Sequence, residues 1–294
     1  MSLLRIAFGV VSMALLIRGR AATCERFDFR EYWMCPEYPH LTCREIKKLE
    51  IVEQIAQGTV KNVFLAKWND YRVVLSTLTS EEFREDFHHN IAMHQLLDGP
   101  FTVRMLGSCG DSIVTEYHPR GNMFSAMPSL NDTLEFRFPM CLQYLRILKF
   151  LHSHERVMCD SNSLPKILEQ FLVSNDGRLL LNDMDALPRK QNGVVRCGKR
   201  MLDGEFVAPE QRLEAGYRKG YDEMTDMFKA PHVCDFILGE AEHAIWFRYW
   251  LFDVNKQCKS QDPKLRPSAK KLMRDYLEVW EDYQKDTRSE SGWI

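Results

Sequence analysis

The hydrophobic pattern changes period part-way along the chain, and this change constrains the fold more than any other feature. From Leu49 the sequence runs in short β-like stretches, Glu50–Ile55, Asn62–Trp68 and Tyr71–Leu78, separated by Gly58 and the turn-forming pair Asn69-Asp70. A helical stretch follows over Glu81–Leu97, then two more strand-like runs, Val103–Leu106 and Ser112–Tyr117. From Leu130 onward the period is helical, clearest in Met140–His152, where Leu142, Leu145, Ile147, Leu148 and Leu151 make one apolar stripe. Five strands with a helix after the third, followed by helices, predict a bilobal α+β molecule. Its β-rich small lobe runs to about residue 116 and its large lobe is mostly α. With 294 residues, 45% of them hydrophobic, the chain is long enough for one large domain or two lobes around a shared cleft.

Charge and the N-terminus bound the setting. The net charge is −2 and like charges never run far, so nothing draws the whole molecule to nucleic acid or an anionic membrane surface. Ile6 to Ile17 is an uncharged run flanked by Arg5, Arg18 and Arg20. It reads as a membrane-targeting segment over residues 1–20. Its length suits the h-region of a cleaved signal, but Arg20 ahead of Ala21 and Ala22 spoils a cleavage site and favours a signal anchor; a buried helix is the remaining alternative. Of nine cysteines, Cys24, Cys35 and Cys43 crowd the Pro- and aromatic-rich stretch 21–45, a disulfide-stapled cap or linker. The odd count leaves at least one cysteine without an intramolecular partner. One glycosylation sequon, Asn131-Asp132-Thr133, is present, and residues 286–294 form a polar tail expected to fray.

Phosphoryl transfer needs a loop over the phosphates, a cation, metal ligands and a carboxylate to orient the attacking hydroxyl. Each has a candidate in the expected order. Ile55 to Val63 resembles the Gly-rich loop of protein kinases, with only its middle glycine, Gly58, kept. The third-strand motif reads Val73-Val74-Leu75-Ser76, with Ser76 in place of lysine, whereas Lys61 stands where the third glycine belongs and would reach the phosphates from the adjacent strand. Asn90 occupies the usual helix glutamate position, leaving Glu85 and Asp86 as candidate partners for Lys61. Val157-Met158-Cys159-Asp160 takes the place of the HRD motif, with Asp160 as candidate general base. Gln170 lies thirteen positions before Asp183, the kinase spacing from the metal-binding Asn to DFG, and Asp183-Met184-Asp185 stands in for that motif. Asp183 is therefore the candidate magnesium ligand, assisted by Gln170 or Asp185. Ten positions separate Asp160 from Gln170 where five are usual, so extra residues near Ser161–Pro165 lie where an acceptor would bind. Glu116 and Tyr117, ending the fifth strand-like run, are candidate nucleotide contacts beside Gly58 and Lys61. Phe206 to Glu210 matches APE, Arg266 the arginine that pairs with its glutamate, and Asp226 the helix aspartate that holds the catalytic loop.

Val157 to Asn162, Asn182 to Pro188, Lys61 in a glycine's place and Cys258 to Gln261 together resemble the protein O-mannose kinases over nearly the whole chain. The resemblance implies a protein-kinase-like fold over 46–285, ATP with Mg²⁺ or Mn²⁺, and phosphorylation of the 6-hydroxyl of O-linked mannose in a trisaccharide on α-dystroglycan. It also implies a single-pass type II protein of the endoplasmic reticulum membrane with a lumenal kinase domain. Degenerate glycine, lysine and HRD motifs leave a pseudokinase acting as a binding module, or a lumenal protein kinase, as alternatives. Cys159 replaces the arginine that gathers an activation-loop phosphate, so an enzyme active as synthesised is expected.

Overall fold

A computed structural model describes residues 14–17, 20–23, 25–27, 32–34, 40–198 and 201–291. Most of the apolar N-terminal run lies outside these residues, as do Cys24 and Cys35. At the end of that run Ala14–Ile17 pairs with Arg20–Thr23, and within the stretch 21–45 Glu25–Phe27 pairs with Tyr32–Met34, both antiparallel. Among the described residues no helix is long and apolar enough to cross a membrane.

The small lobe is the expected five-stranded antiparallel sheet. Strands β1 (Glu50–Gln57), β2 (Lys61–Trp68), β3 (Tyr71–Leu78), β4 (Met105–Ser108) and β5 (Ser112–Glu116) lie in the order β1-β2-β3-β5-β4. Asn69, at φ 52°, makes the tight β2–β3 turn that its sequence announces. β1 is exposed along its whole length, an edge, whereas β3 buries Val73, Val74, Leu75 and Ser76. Helix α1 (Arg84–Leu96) follows a short 3-10 turn and inserts between β3 and β4. Leu41 crosses Gly107 so closely that a Cβ there would lie 2.1 Å from its carbonyl oxygen, which leaves glycine as the residue that fits. The Cys43–Cys109 disulfide fastens the same crossing.

The large lobe is built on α2 (Leu134–Ser153) and the almost wholly buried α4 (Met224–Leu238), cross-linked by Cys141–Cys234. α2 starts ahead of the expected stripe and carries Pro139 in its second turn. Between these helices lie the short α3 (Leu164–Glu169) and a hairpin of β6 (Phe171–Val173) with β7 (Leu179–Leu181). Its apolar residues join one core with Leu145, Leu148, Met184 and Ile237. α5 (Glu242–Trp250) and α6 (Ala269–Ser291) close the far side against Phe138, which stacks on Trp280 while Phe247 meets both rings edge-on. α6 runs through the expected polar tail as far as Ser291. The lobes meet behind the cleft, where Val103 N–H donates to Leu181 O at 2.9 Å and Leu181 N–H to Phe101 O at 2.8 Å.

Candidate active site

Lys61 opens β2, and its Nζ lies 2.8 Å from Asp183 Oδ1, with only 13% of the lysine side chain exposed. The sheet register explains the reach. Val63 is paired with Ser76, and Lys61 stands two residues before Val63, so Lys61 and Ser76 project from the same face of the sheet. A lysine absent from β3 and present on β2 therefore enters the same space. The carboxylate it meets is Asp183; Glu85 and Asp86 are exposed at the start of α1. Asn90, 1% exposed, accepts from Met184 N–H at 3.0 Å, so α1 grips the Asp183-Met184-Asp185 turn by a neutral amide rather than an ion pair. Deeper in α1, His94 bonds Val103 O through Nδ1 at 3.2 Å. Burial, with the Lys61 ammonium nearby, pushes the imidazole down to about 4 and keeps it neutral.

Asp183 and Asp185 share the mouth of the cleft. Burial alone would raise the Asp183 carboxyl, but the Lys61 ammonium outweighs it and holds it below the usual range. Asp185 is pushed up to about 7 by burial and then by the negative charge of Asp183. Gln170, 5% exposed, sits below them. Its side-chain amide donates to Asp160 O, and its carbonyl receives Asn182 N–H and Asp183 N–H. One residue thus ties the catalytic loop to the turn that carries both aspartates.

Asp160 is half exposed, and its Oδ1 lies 2.7 Å from Lys166 Nζ. The residues between Asp160 and Gln170 fold as α3, entered through Pro165 in its first turn, and this helix presents Lys166. Beneath the loop, Asp226 accepts from Met158 N–H at 3.2 Å and lies 3.1 Å from His152 Nε2, the fastening expected of it. Ser161 Oγ donates to Met158 O at 2.7 Å and receives a bond from Lys229 Nζ. Lys229 is fully enclosed, and burial lowers its ammonium to about 8 despite the negative charge of Asp226. Cys159 is disulfide-bonded to Cys197. Glu210 and Arg266 form a two-pronged pair at 2.6 and 2.8 Å, with the arginine side chain fully buried.

On the nucleotide side, Gly58 closes the β1–β2 turn by donating its N–H to Lys61 O at 2.9 Å. Glu116 Oε1 accepts from Arg104 N–H at 3.1 Å and lies 3.1 Å from His118 Nε2. Its main-chain N–H is engaged as well, donating to Arg104 O at 3.1 Å. Tyr117 follows it, half-buried, in the connection between lobes.

No family model matches the chain. Among known proteins it is 38% identical to protein O-mannose kinase of Homo sapiens over 265 residues, covering 82% of this chain and 76% of that protein. Protein O-mannose kinase of Gallus gallus is 40% identical over 272 residues, with 82% and 75% covered. The Xenopus laevis protein of that name is 34% identical over 318 aligned positions, with 94% and 89% covered. The chain belongs to the protein O-mannose kinase family. It is a kinase, and a kinase uses ATP with a divalent metal.

In this member of the family the donor set fits such a cation. Two carboxylates stand together in one turn, Asp185 driven to about 7 first by burial and then by the charge of Asp183, and Gln170, whose main-chain carbonyl holds that turn, carries a side-chain amide with an oxygen to offer. A hard divalent ion takes this kind of oxygen set and relieves the repulsion between the two carboxylates. Lys166, Lys229 and Cys197 are bonded to Asp160, Ser161 and Cys159 of the loop, yet motif spacing does not single them out. A lysine between the base and Gln170 was the available signal for Lys166; a lone charge in the apolar run Met227–Pro231 was the signal for Lys229.

Proposed function

We propose that this chain transfers the γ-phosphoryl group of ATP to the 6-hydroxyl of O-linked mannose in the trisaccharide of α-dystroglycan, with Asp160 as the base. The observation that carries the acceptor is the 34–40% identity to proteins named protein O-mannose kinase. The geometry supports the chemistry. Lys166 holds Asp160 Oδ1, leaving Oδ2 to receive the proton of an attacking hydroxyl. Lys61 brings a cation to the phosphates from β2, and Gln170 fixes the base loop to the Asp183 turn so that acceptor and donor are presented in one frame. Asp183, Asp185 and Gln170 would hold Mg²⁺ or Mn²⁺, which when bound neutralises charge on the phosphate oxygens. α3 lines the side from which a sugar would reach Asp160.

The reading extends to location: an endoplasmic reticulum membrane protein, single-pass type II, anchored through Ile6–Ile17 with its kinase domain in the lumen. Three disulfides among the described residues support an oxidising compartment. The test is incubation of the protein with Mg²⁺, labelled ATP and the O-mannosyl trisaccharide, beside Asp160→Asn. Transfer to mannose that vanishes in the variant is expected. ATP binding without transfer to sugar or peptide would replace this reading with a pseudokinase, and transfer to peptide hydroxyls with a lumenal protein kinase.

A further inference from the structure

In protein kinases the segment between the DFG and APE motifs is ordered by a phosphorylated hydroxyl that pairs with the arginine next to the catalytic aspartate. Both halves of that device are missing here. The arginine position is Cys159, and from Asp183 through Glu210 the chain has no serine, threonine or tyrosine. The segment therefore has no hydroxyl side chain to phosphorylate.

Something else fills the gap. Cys159 directly precedes Asp160, and its sulfur is bonded to Cys197, in the middle of that segment. The bond lies in a small apolar cluster of its own, with Val157, Val195 and Tyr221 all buried. Its surroundings aim it at the base. Cys159 N–H donates to Ala186 O at 3.0 Å and Ser161 N–H to Cys159 O at 2.8 Å, so the cysteine main chain sits between the Asp185 turn and the base loop. On the other side, Cys197 N–H donates to the Tyr221 hydroxyl at 2.8 Å, and Val195 exchanges main-chain bonds with Tyr221 at 2.8 and 3.1 Å. The segment is thus pinned to the large lobe at Tyr221 and to the catalytic loop through one covalent bond.

We infer that the Cys159–Cys197 disulfide takes the place of the phosphate–arginine anchor, and that Cys197 is a positioning residue for Asp160, making phosphoryl transfer dependent on thiol redox state instead of phosphorylation. A dithiol reverses it: its thiolate attacks one sulfur, the Cys159–Cys197 bond breaks, and two electrons and two protons pass to the cysteines while the reagent closes to its own disulfide. Released, the segment no longer fixes the residue beside the base. Misplacing a reacting group by about 1 Å costs about a hundredfold in rate. ATP sites on the small lobe and at Asp183 do not involve the bond.

The inference rests on the phosphoryl-transfer reading of Asp160, and the experiment separates the two. Wild-type protein and Cys159→Ala/Cys197→Ala are assayed for transfer to the O-mannosyl trisaccharide with and without dithiothreitol, and reduced cysteines are mapped by alkylation and mass spectrometry. The expected result is a kcat about ten- to a hundredfold lower in the variant, with KM for ATP nearly unchanged and no further response to dithiothreitol. The wild type should fall to the same rate in proportion to alkylated Cys159 and Cys197, and recover on reoxidation. A variant with wild-type kcat, or wild-type protein that stays active with that bond reduced, overturns the inference. If the double variant does not fold, the wild-type correlation decides alone. No transfer by the oxidised wild type would instead refute the acceptor assignment.

Discussion

Replacing Lys229 by methionine should make this kinase more stable and less active. The lysine is 1% exposed, faces Asp226, Glu210, Arg266 and Asp160 at a distance, and makes its hydrogen bond to Ser161. Its ammonium falls from 10.5 in the open to about 8 in the fold, which at about 1.4 kcal/mol per pH unit is a cost of about 3 kcal/mol for burying the charge. The folded value lies below the unfolded one, so this cost is present in full below pH 8 and disappears as pH rises from 8 toward 10.5. Methionine fills a similar volume without charge, while the lost bond to Ser161 costs about 1 kcal/mol. The net gain at pH 7 is about 2 kcal/mol, or about 4–8 °C in Tm. Thermal melts of both proteins at pH 7, 8, 9 and 10 test it: the advantage should be greatest at pH 7 and shrink at each step. A variant less stable at pH 7, or a difference indifferent to pH, would refute the argument. Transfer rates should fall in the same variant, because Ser161, next to Asp160, loses its second anchor.

Lys61→Met should lower kcat/KM by about a hundredfold or more, and adding Ser76→Lys should restore part of it, since both positions face the same space; steady-state kinetics of the double variant check this. Glu210→Ala leaves the buried Arg266 guanidinium without its carboxylate and should destabilise by about 3–5 kcal/mol in urea titration. Cys43→Ser with Cys109→Ser opens a bond that spans 66 residues, for which chain entropy gives a loss of about 4 kcal/mol in the same titration. Acidification from pH 7 to 4 should cost folding stability through His94, whose folded value near 4 lies below its unfolded one; His94→Gln should melt with a flatter acid limb.

The parts of the site readable in the sequence are those set by short-range main-chain geometry. The run from Gln170 to Asp183 spans a tight hairpin whose length fixes where the aspartate emerges, so spacing alone located it. Lys61 was legible for a similar reason, since the strand register decides which face a side chain occupies. Lys166 was not, because the longer loop coils into α3 and brings back to Asp160 a residue that no standard offset marks. The partner of Cys159 was hidden because disulfide connectivity depends on where distant segments meet. The partner of Lys61 was misplaced among α1 carboxylates, as Asn90 had already taken the inward position.

The Asn90–Met184 hydrogen bond has a bearing on inhibitors. Compounds that swing the small-lobe helix outward, or flip the metal-binding turn, work on kinases in which those two parts move separately. Here a buried amide and a buried N–H join them, and parting them leaves two unsatisfied groups at about 1–3 kcal/mol each. Ligands that accept the closed arrangement and compete for the nucleotide space alone meet no such penalty, which favours them as probes of this enzyme.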